Sequence, residues 1–540
     1  MSEPTDPTPA PEDDALPAFV RGLLQPSAYP HRPASVSLVQ THISYVFLAG
    51  DLVYKAKKPV NFGFIDQVAF EARERHARQE VTLNRRLAPD VYLDVVPVVE
   101  RAGGGFAVDV TPEAGDRVVE WAVKMRRLPD DRTLDRLIAA DAVPHDLPER
   151  IAQRLVTFHD AARVVANDPA FAGAEGERNW WAREYREAEP NIGGTWRADD
   201  ALHLREFIDA FIERESALFD ERLAAGRVVE GHGDLHAKHI YTLGPRAEDL
   251  VIVDCIEFTE WFHFRYLDVG YDLAFLAMDL EARGRRDLGD EVAGRYLAAT
   301  ADETLGVLQP LHRAFRAFVR GKVESIGANA PEVPAAQRAD LAASAAAYFR
   351  LATEFTRRVA SPCLILLSGP SGTGKSTVGA TLAARIGAAY VSSDAVRKAL
   401  AGVPPRSHGH EAALYTAGMT ERTYAEVRRR AAAHLAAGRA VVVDAVHGRA
   451  EDREAARAVA RAAGVPSLLV ALNLSAEVAL ARIEARQHDP LAISDATAEV
   501  YRRQVESFDA IRSIEGDYLA LDAAQPLIAL VDEIEPALPR

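Results

Sequence analysis

Residues 363–376 read CLILLSGPSGTGKS, an apolar run that passes directly into Gly369-x-x-x-x-Gly374-Lys375-Ser376. Glycines at this spacing let the backbone curl so that successive N–H groups point inward at an anion. A lysine then brings mobile positive charge to the β and γ phosphates, and the serine hydroxyl faces Mg2+. A helix starting near Gly374 adds its positive end. The context matches, with a strand-like run before the loop and the amphipathic segment TVGATLAARIG after it. This stretch predicts an ATP site built from Gly369, Gly372, Gly374, Lys375, Ser376 and Thr377. The chain around it must therefore fold as strand, loop and helix. Further short apolar runs (AAYVSSD, AVVVDAV, SLLVALNL, YLALD) alternate with helical segments, the pattern of a parallel sheet with right-handed crossovers. Ligands gather at the carboxyl ends of such strands.

The loop begins two thirds of the way along a chain of 540 residues, so it cannot account for the whole. Hydrophobic residues at 48% and charged residues at 26% leave each folding unit enough apolar surface for a core of its own. The net charge of -16 argues against a non-specific binder of nucleic acid or membrane surface, because a polyanion is repelled overall. No apolar run approaches membrane-spanning length, and MSEPTDPTPAPEDDALP lacks the basic and apolar regions of a signal peptide. It reads as a disordered tail over 1–16. Cys255 and Cys363 lie in apolar runs with neither metal-ligand nor disulfide spacing, so both are expected in cores, in a reducing cytosol.

Upstream, SLVQTHISYVFLAG and DLVYKAKKPV alternate as strands, FEARERHARQEVTLNRRLAP is helical, and RVVEWAVKMRRLP is one more strand. Helices dominate from there to about Arg358. In VYKAKKP the alternation puts Lys55 and Lys57 on one face, and Glu80 shares a helical row with Ala77, Leu83 and Leu87, so it points inward and needs a cation. Further on, His232-Gly233-Asp234-Leu235-His236-Ala237-Lys238-His239 precedes Val251-Ile252-Val253-Asp254. Its frame is that of a kinase catalytic loop, in which an Asp meets the acceptor hydroxyl and a later Asp holds metal.

On HGDLHAKH, VDCIEF and YLDVGYDLAF the region from about Ser37 to Val323 resembles the aminoglycoside phosphotransferase family. The resemblance implies an α+β protein-kinase-like two-lobed domain over 17–358, with a small lobe about 36–119 and a large lobe about 130–358. It also implies roles. Asp234 is the base, Asp254 a metal ligand, and Lys57 or Lys55 sits on the ATP phosphates in partnership with Glu80. Asp272 braces the loop, Asp268 either shares that task or caps its helix, and residues 120–126 form a hinge for adenine, while His232 and His236 are read as loop-bracing residues and not as metal ligands. The departure is His239, which stands where the family has Asn. Mg2+ prefers oxygen donors, so His239 is either an unusual second metal ligand or a phosphate contact.

Residues from about Pro362 to Pro536, within a second domain over 361–540, resemble small P-loop kinases of the zeta-toxin, polynucleotide-kinase and gluconate-kinase kind. In that resemblance Asp394 is the base beside the phosphate site, Arg397 holds substrate, and Asp444 is a metal ligand. Arg486 and Arg482 close over ATP, with Arg449 and Arg453 as weaker acceptor-side candidates. The whole chain resembles bacterial fusions of these two kinds of domain. The expected activity is transfer of the ATP γ-phosphate, with Mg2+, to hydroxyls of a small, sugar-like acceptor. Two rival readings remain: one domain is a nucleotide sensor controlling the other, or the second domain is a nucleic-acid end kinase, which the net charge disfavours.

Overall fold

The computed structural model describes residues 16–63, 65–165, 173–258, 265–331, 333–408, 414–487, 489, 491–512, 515–516 and 518–539. The expected tail over 1–16 thus lies, except for Leu16, outside the described residues. The chain condenses into two compact units. One comprises the residues up to Pro144 together with Val229–Leu267, and the other His145–Val228 with Asp268 onward.

In the first unit an antiparallel sheet is formed by β1 (Val36–Gln40), β2 (Ser44–Ala49), β3 (Leu52–Lys57), β4 (Tyr92–Glu100), β5 (Phe106–Val108) and β6 (Arg117–Arg126), in the order β1-β2-β3-β6-β4-β5. Strand alternation sends Tyr54 and Ala56 into one core with Phe47, Val98 and Ala122. Lys55 and Lys57 face the opposite side, toward the Phe70–Asn84 helix, whose Ala77 and Val81 pack with Val123 and Val253. β6 pairs with both β3 and β4 over 122–126, so its backbone groups are engaged in ladders on both edges. The expectation of an adenine hinge over 120–126 is therefore corrected. Glu120, moreover, is buried and ion-paired to Arg73 at 2.6 Å. The strand runs out only at 127–129, where Arg127 N–H still bonds the Asp51 carbonyl.

The Val229–Leu267 segment carries a short antiparallel pair, Ile240–Thr242 with Leu250–Ile252. The second of these strands stops at Ile252, and two residues on Asp254 takes a left-handed φ of 65°. An L-residue adopts that conformation at a cost.

In the second unit, helices from Leu147–Asp160 to Ala335–Arg357 precede a parallel sheet. Its strand order is Ala389–Ser392, Val441–Asp444, Leu364–Ser368, Ser467–Asn473, Tyr518–Asp522. The expected division at 358–361 falls inside this unit because helices on both sides of it pack together. Gly294 of the Arg286–Thr300 helix lies so close to Thr381 of the Lys375–Ile386 helix that a side chain there would collide with it. Asp290 bonds Arg385 at 2.8 Å across that seam, and Arg313 at 2.8 Å on its own side of it. The aromatic cluster NWWAREY is core: Trp180 and Trp181 are buried against Phe315. Cys255 and Cys363 are buried free thiols. Among the described residues, no helix is long and apolar enough to cross a membrane. The chain combines an α+β protein-kinase-like fold with an α/β P-loop kinase fold built on a parallel sheet.

Candidate active sites

β3 and the Phe70–Asn84 helix bring together the first constellation. Glu80 is fully buried and accepts from two ammonium groups, Lys55 at 2.9 Å and Lys57 at 2.5 Å. The two lysines then diverge. Lys57 is 0% exposed and makes a second, very short ion pair with Glu257, a residue that sequence reasoning passed over. Lys55 instead reaches Asp254 at 2.8 Å, whose carboxylate side chain is 44% exposed. Lys55 thus stands where a phosphate can approach, and Lys57 is locked between two carboxylates. Burial works against the Lys55 ammonium, but Asp254 and Glu80 outweigh it and raise its pKa well above the usual lysine range. Burial likewise works to raise the Asp254 carboxyl, and Lys55 and His239 overcome it, holding the group well below the usual carboxylate range.

The unusual turn at Asp254 is held from the helix and sheet. Its N–H donates to the Tyr92 hydroxyl at 3.2 Å, and the Cys255 N–H donates to Asn84 Oδ1 at 2.8 Å. Asn84 lies one helical turn beyond Glu80, so one helix face sets both the ion pair and the turn at Asp254.

His232, at the head of the loop over 232–239, is fully buried. Its Nε2 donates to the Val253 carbonyl at 2.9 Å, and its Nδ1 accepts from Asp234 N–H at 3.2 Å. Asp234 Oδ2 lies 3.6 Å from His236 Nε2 and 3.7 Å from His239 Nδ1. His239 Nδ1 also lies 2.9 Å from the Asp234 carbonyl, which can only accept, so this nitrogen carries the proton. Nε2 is then the acceptor, 3.7 Å from Asp254 Oδ2. In the second unit, Asp272 is fully buried and bonds His159 Nε2 at 3.2 Å. Asp268 caps its helix through Gly270 N–H and takes a bidentate contact from Arg222.

In the second constellation the glycine loop adopts the backbone expected of it. Gly369 and Gly372 have φ of 144° and 83°, and a Cβ at either would meet a backbone carbonyl, Leu472 at 2.7 Å or Ala479 at 2.5 Å. Only glycine fits at these two positions. Ser376 Oγ donates to Asp444 Oδ2 at 2.7 Å, and the Tyr390 hydroxyl donates to the same oxygen at 2.8 Å. Burial pushes the Asp444 carboxyl up, and Lys375 pulls it back. The hydroxyl and carboxylate form an oxygen-donor pair that suits Mg2+, and the glycine cradle suits a polyphosphate. Lys375 Nζ donates to the Pro370 carbonyl at 2.8 Å, and burial lowers its pKa.

A cavity of about 1060 Å³ joins these groups. Thr377, Asp394, Arg397, Arg482 and Arg486 all line it, as does Gln504, whose Oε1 accepts from Ser371 N–H at 2.8 Å. The Asp394 carboxylate accepts from the Tyr415 hydroxyl at 3.3 Å. Arg397 is buried over the Tyr415 ring and bonds the Leu414 carbonyl and Thr420, so it also shapes the wall. Arg482 and Arg486 donate to the carbonyls of Ala523 and Ala496. Arg449 lines the cavity, but Arg453 is fully buried on Glu515 and on the carbonyls of His447 and Gly448, and is a structural residue. Helices before residue 358 also line it, through Glu149, Gln153 and Arg295.

Residues 364–511 match the family described as AAA domain. The chain is 33% identical over 472 residues to Mb2027c of Mycobacterium bovis and to Rv2004c of Mycobacterium tuberculosis, covering 86% of this chain and 88% of each relative. Among solved structures, a gluconokinase from Sinorhizobium meliloti is similar at 25% identity over 32% of this chain and 90% of its own, with a TM-score of 0.25. A choline/ethanolamine kinase family protein from Mesorhizobium loti is similar at 14% identity over 62% of this chain and 97% of its own, with a TM-score of 0.35.

Proposed function

The chain belongs to the same family as the mycobacterial proteins Mb2027c and Rv2004c, and we propose that it is an ATP- and Mg2+-dependent phosphotransferase with two nucleotide sites. We assign one site to a module over 17–358 and one to a module over 361–540. The observation that carries this reading lies in the second module, where Asp394 shares one cavity with the glycine loop and the Ser376–Asp444 pair. A carboxylate there can orient a hydroxyl and take its proton while Lys375 neutralises phosphate charge. When bound, MgATP supplies the γ-phosphoryl group, Ser376 and Asp444 hold the ion, and Arg482 and Arg486 cover the phosphates.

In the first module Lys55 takes the phosphate contact, Asp254 holds Mg2+ with His239 Nε2 beside it, and Asp234 meets the acceptor hydroxyl. Glu80 and Glu257 fix Lys57, and through Glu80 they also position Lys55. The acceptor is a small, polyhydroxylated molecule of the sugar kind. Gln153, Glu149 and Arg295 line the same cavity as Asp394, and polar side chains of this kind suit paired hydroxyls, while a nucleic acid is disfavoured by a net charge of -16.

The test is acceptor-dependent ADP release by the full chain with sugars, aminoglycosides and nucleosides, repeated with Asp234→Ala and with Lys375→Ala. Turnover that needs an acceptor and disappears with one of the two changes is the expected result. A second reading, in which the first module senses nucleotide without transferring phosphate, draws on His239 at the family's Asn position. ATP binding there without turnover on any acceptor would favour it.

A further inference from the structure

We propose that Asp234, His236 and His239 form a binding site for a borderline divalent ion of the zinc or cobalt type, distinct from the Mg2+ position at Asp254, and that an ion bound there switches the first module off. The switching half of the proposal rests on Asp234 and Asp254 having the roles assigned above; the binding half does not. One ligand atom from each of the three residues lies within 4.8 Å of the others. Asp234 Oδ2 is 3.6 Å from His236 Nε2 and 3.7 Å from His239 Nδ1. Donor atoms about a tetrahedral zinc ion stand roughly 3.4 Å apart, so these two pairs need to contract by only a few tenths of an ångström. The two imidazole rings are already adjacent, with centroids 3.9 Å apart.

The donor set decides the ion. Two imidazoles and one carboxylate favour zinc-like metals over Mg2+, which keeps to oxygen.

The switch follows from the two nitrogens of His239. In the ion-free arrangement Nδ1–H bonds the Asp234 carbonyl and the Nε2 lone pair faces Asp254. Ligation through Nδ1 requires that nitrogen's lone pair, so the ring proton moves to Nε2 and the hydrogen bond to the carbonyl is given up. Nε2 then presents a proton to Asp254 in place of a lone pair, and Asp234 is tied to the ion instead of to an acceptor hydroxyl. The two ions compete for one imidazole.

The experiment uses the full chain, stripped with a chelator and titrated with Co2+ in the presence of millimolar Mg2+, with visible absorption and bound-metal analysis as readouts. One equivalent should bind, with the absorption of a nitrogen-containing site, and Zn2+ should displace it. His236→Ala should weaken this binding by about a hundredfold or more, past the range that loss of an outer-shell partner gives. His236→Asn provides the same test should the alanine variant fold poorly, and Lys375→Ala should leave the absorption unchanged. No binding above the Mg2+ background, or equal binding in the intact protein and both His236 variants, overturns the site. Co2+ should also suppress acceptor-dependent ADP release by the Lys375→Ala protein; if Co2+ binds as described while that release continues at its Co2+-free rate, the site stands and the switch is refuted.

Discussion

Replacing Lys57 by methionine should destabilise the first unit far more than the same change at Lys55, although the two lysines are two residues apart on one strand face. Lys57 is 0% exposed and pairs with both Glu80 and Glu257. Its removal leaves Glu257 buried without its ammonium, and breaking a buried pair in this way costs about 3–5 kcal/mol. Lys55 is 14% exposed, and after its loss Glu80 keeps Lys57 while Asp254 keeps contact with solvent. The assay is hydrogen–deuterium exchange on peptides covering 44–57 and 70–84. Lys57→Met should lower protection by about two to three and a half powers of ten, at about 1.4 kcal/mol per power. Lys55→Met should leave protection near the native level but abolish acceptor-dependent turnover in a Lys375→Ala background. The pH dependence has a definite sign. Burial already raises the Glu257 carboxyl, and without the ammonium it rises further, so the folded variant binds a proton that the unfolded chain does not. The deficit of Lys57→Met should therefore shrink as pH falls and grow as it rises. Adding Glu257→Gln to Lys57→Met should restore most of the lost protection. Equal protection in the two single variants, or no rescue by the double change, would refute the assignment of Lys57 to the buried pair and Lys55 to phosphate.

Lys375→Ala should abolish turnover in the second module with circular dichroism unchanged, because the ammonium bonds a single loop carbonyl, that of Pro370, and its work is phosphate charge. Asp394→Asn should keep ATP affinity and slow transfer by about a hundredfold or more, read as kcat against KM for ATP. In the first module Asp234→Ala should stop transfer while ATP still binds, whereas Asp254→Ala should weaken Mg2+-dependent ATP binding itself, measured by calorimetry in a Lys375→Ala background. Equal and negligible effects of both changes would remove this module from the catalytic reading.

The parts of these sites that could be read from sequence are those in which one residue type is demanded by local geometry. Gly369 and Gly372 are required because a carbonyl occupies the place of any Cβ, and the inward position of Glu80 follows from helical periodicity alone. The parts that could not be read are set by contacts between distant segments. Gln504 on Ser371 N–H is 133 residues away in sequence, and no local pattern announces it. The same holds for the Tyr92 hydroxyl on Asp254 N–H and for Tyr390 on Asp444. Glu257 had a usable signal, since a carboxylate in an apolar VDCIEF run must find a cation, and a strand face with two lysines offered one more than Glu80 needs. The misplaced adenine hinge has the opposite cause: a strand edge reads alike in sequence whether it is free or paired, and only the ladder of β6 with both β3 and β4 shows that residues 122–126 have no backbone groups to offer. His239 lies between these cases. Sequence shows that it departs from the resembled family's Asn, but which nitrogen carries the proton depends on the Asp234 carbonyl, a contact that only the folded loop supplies.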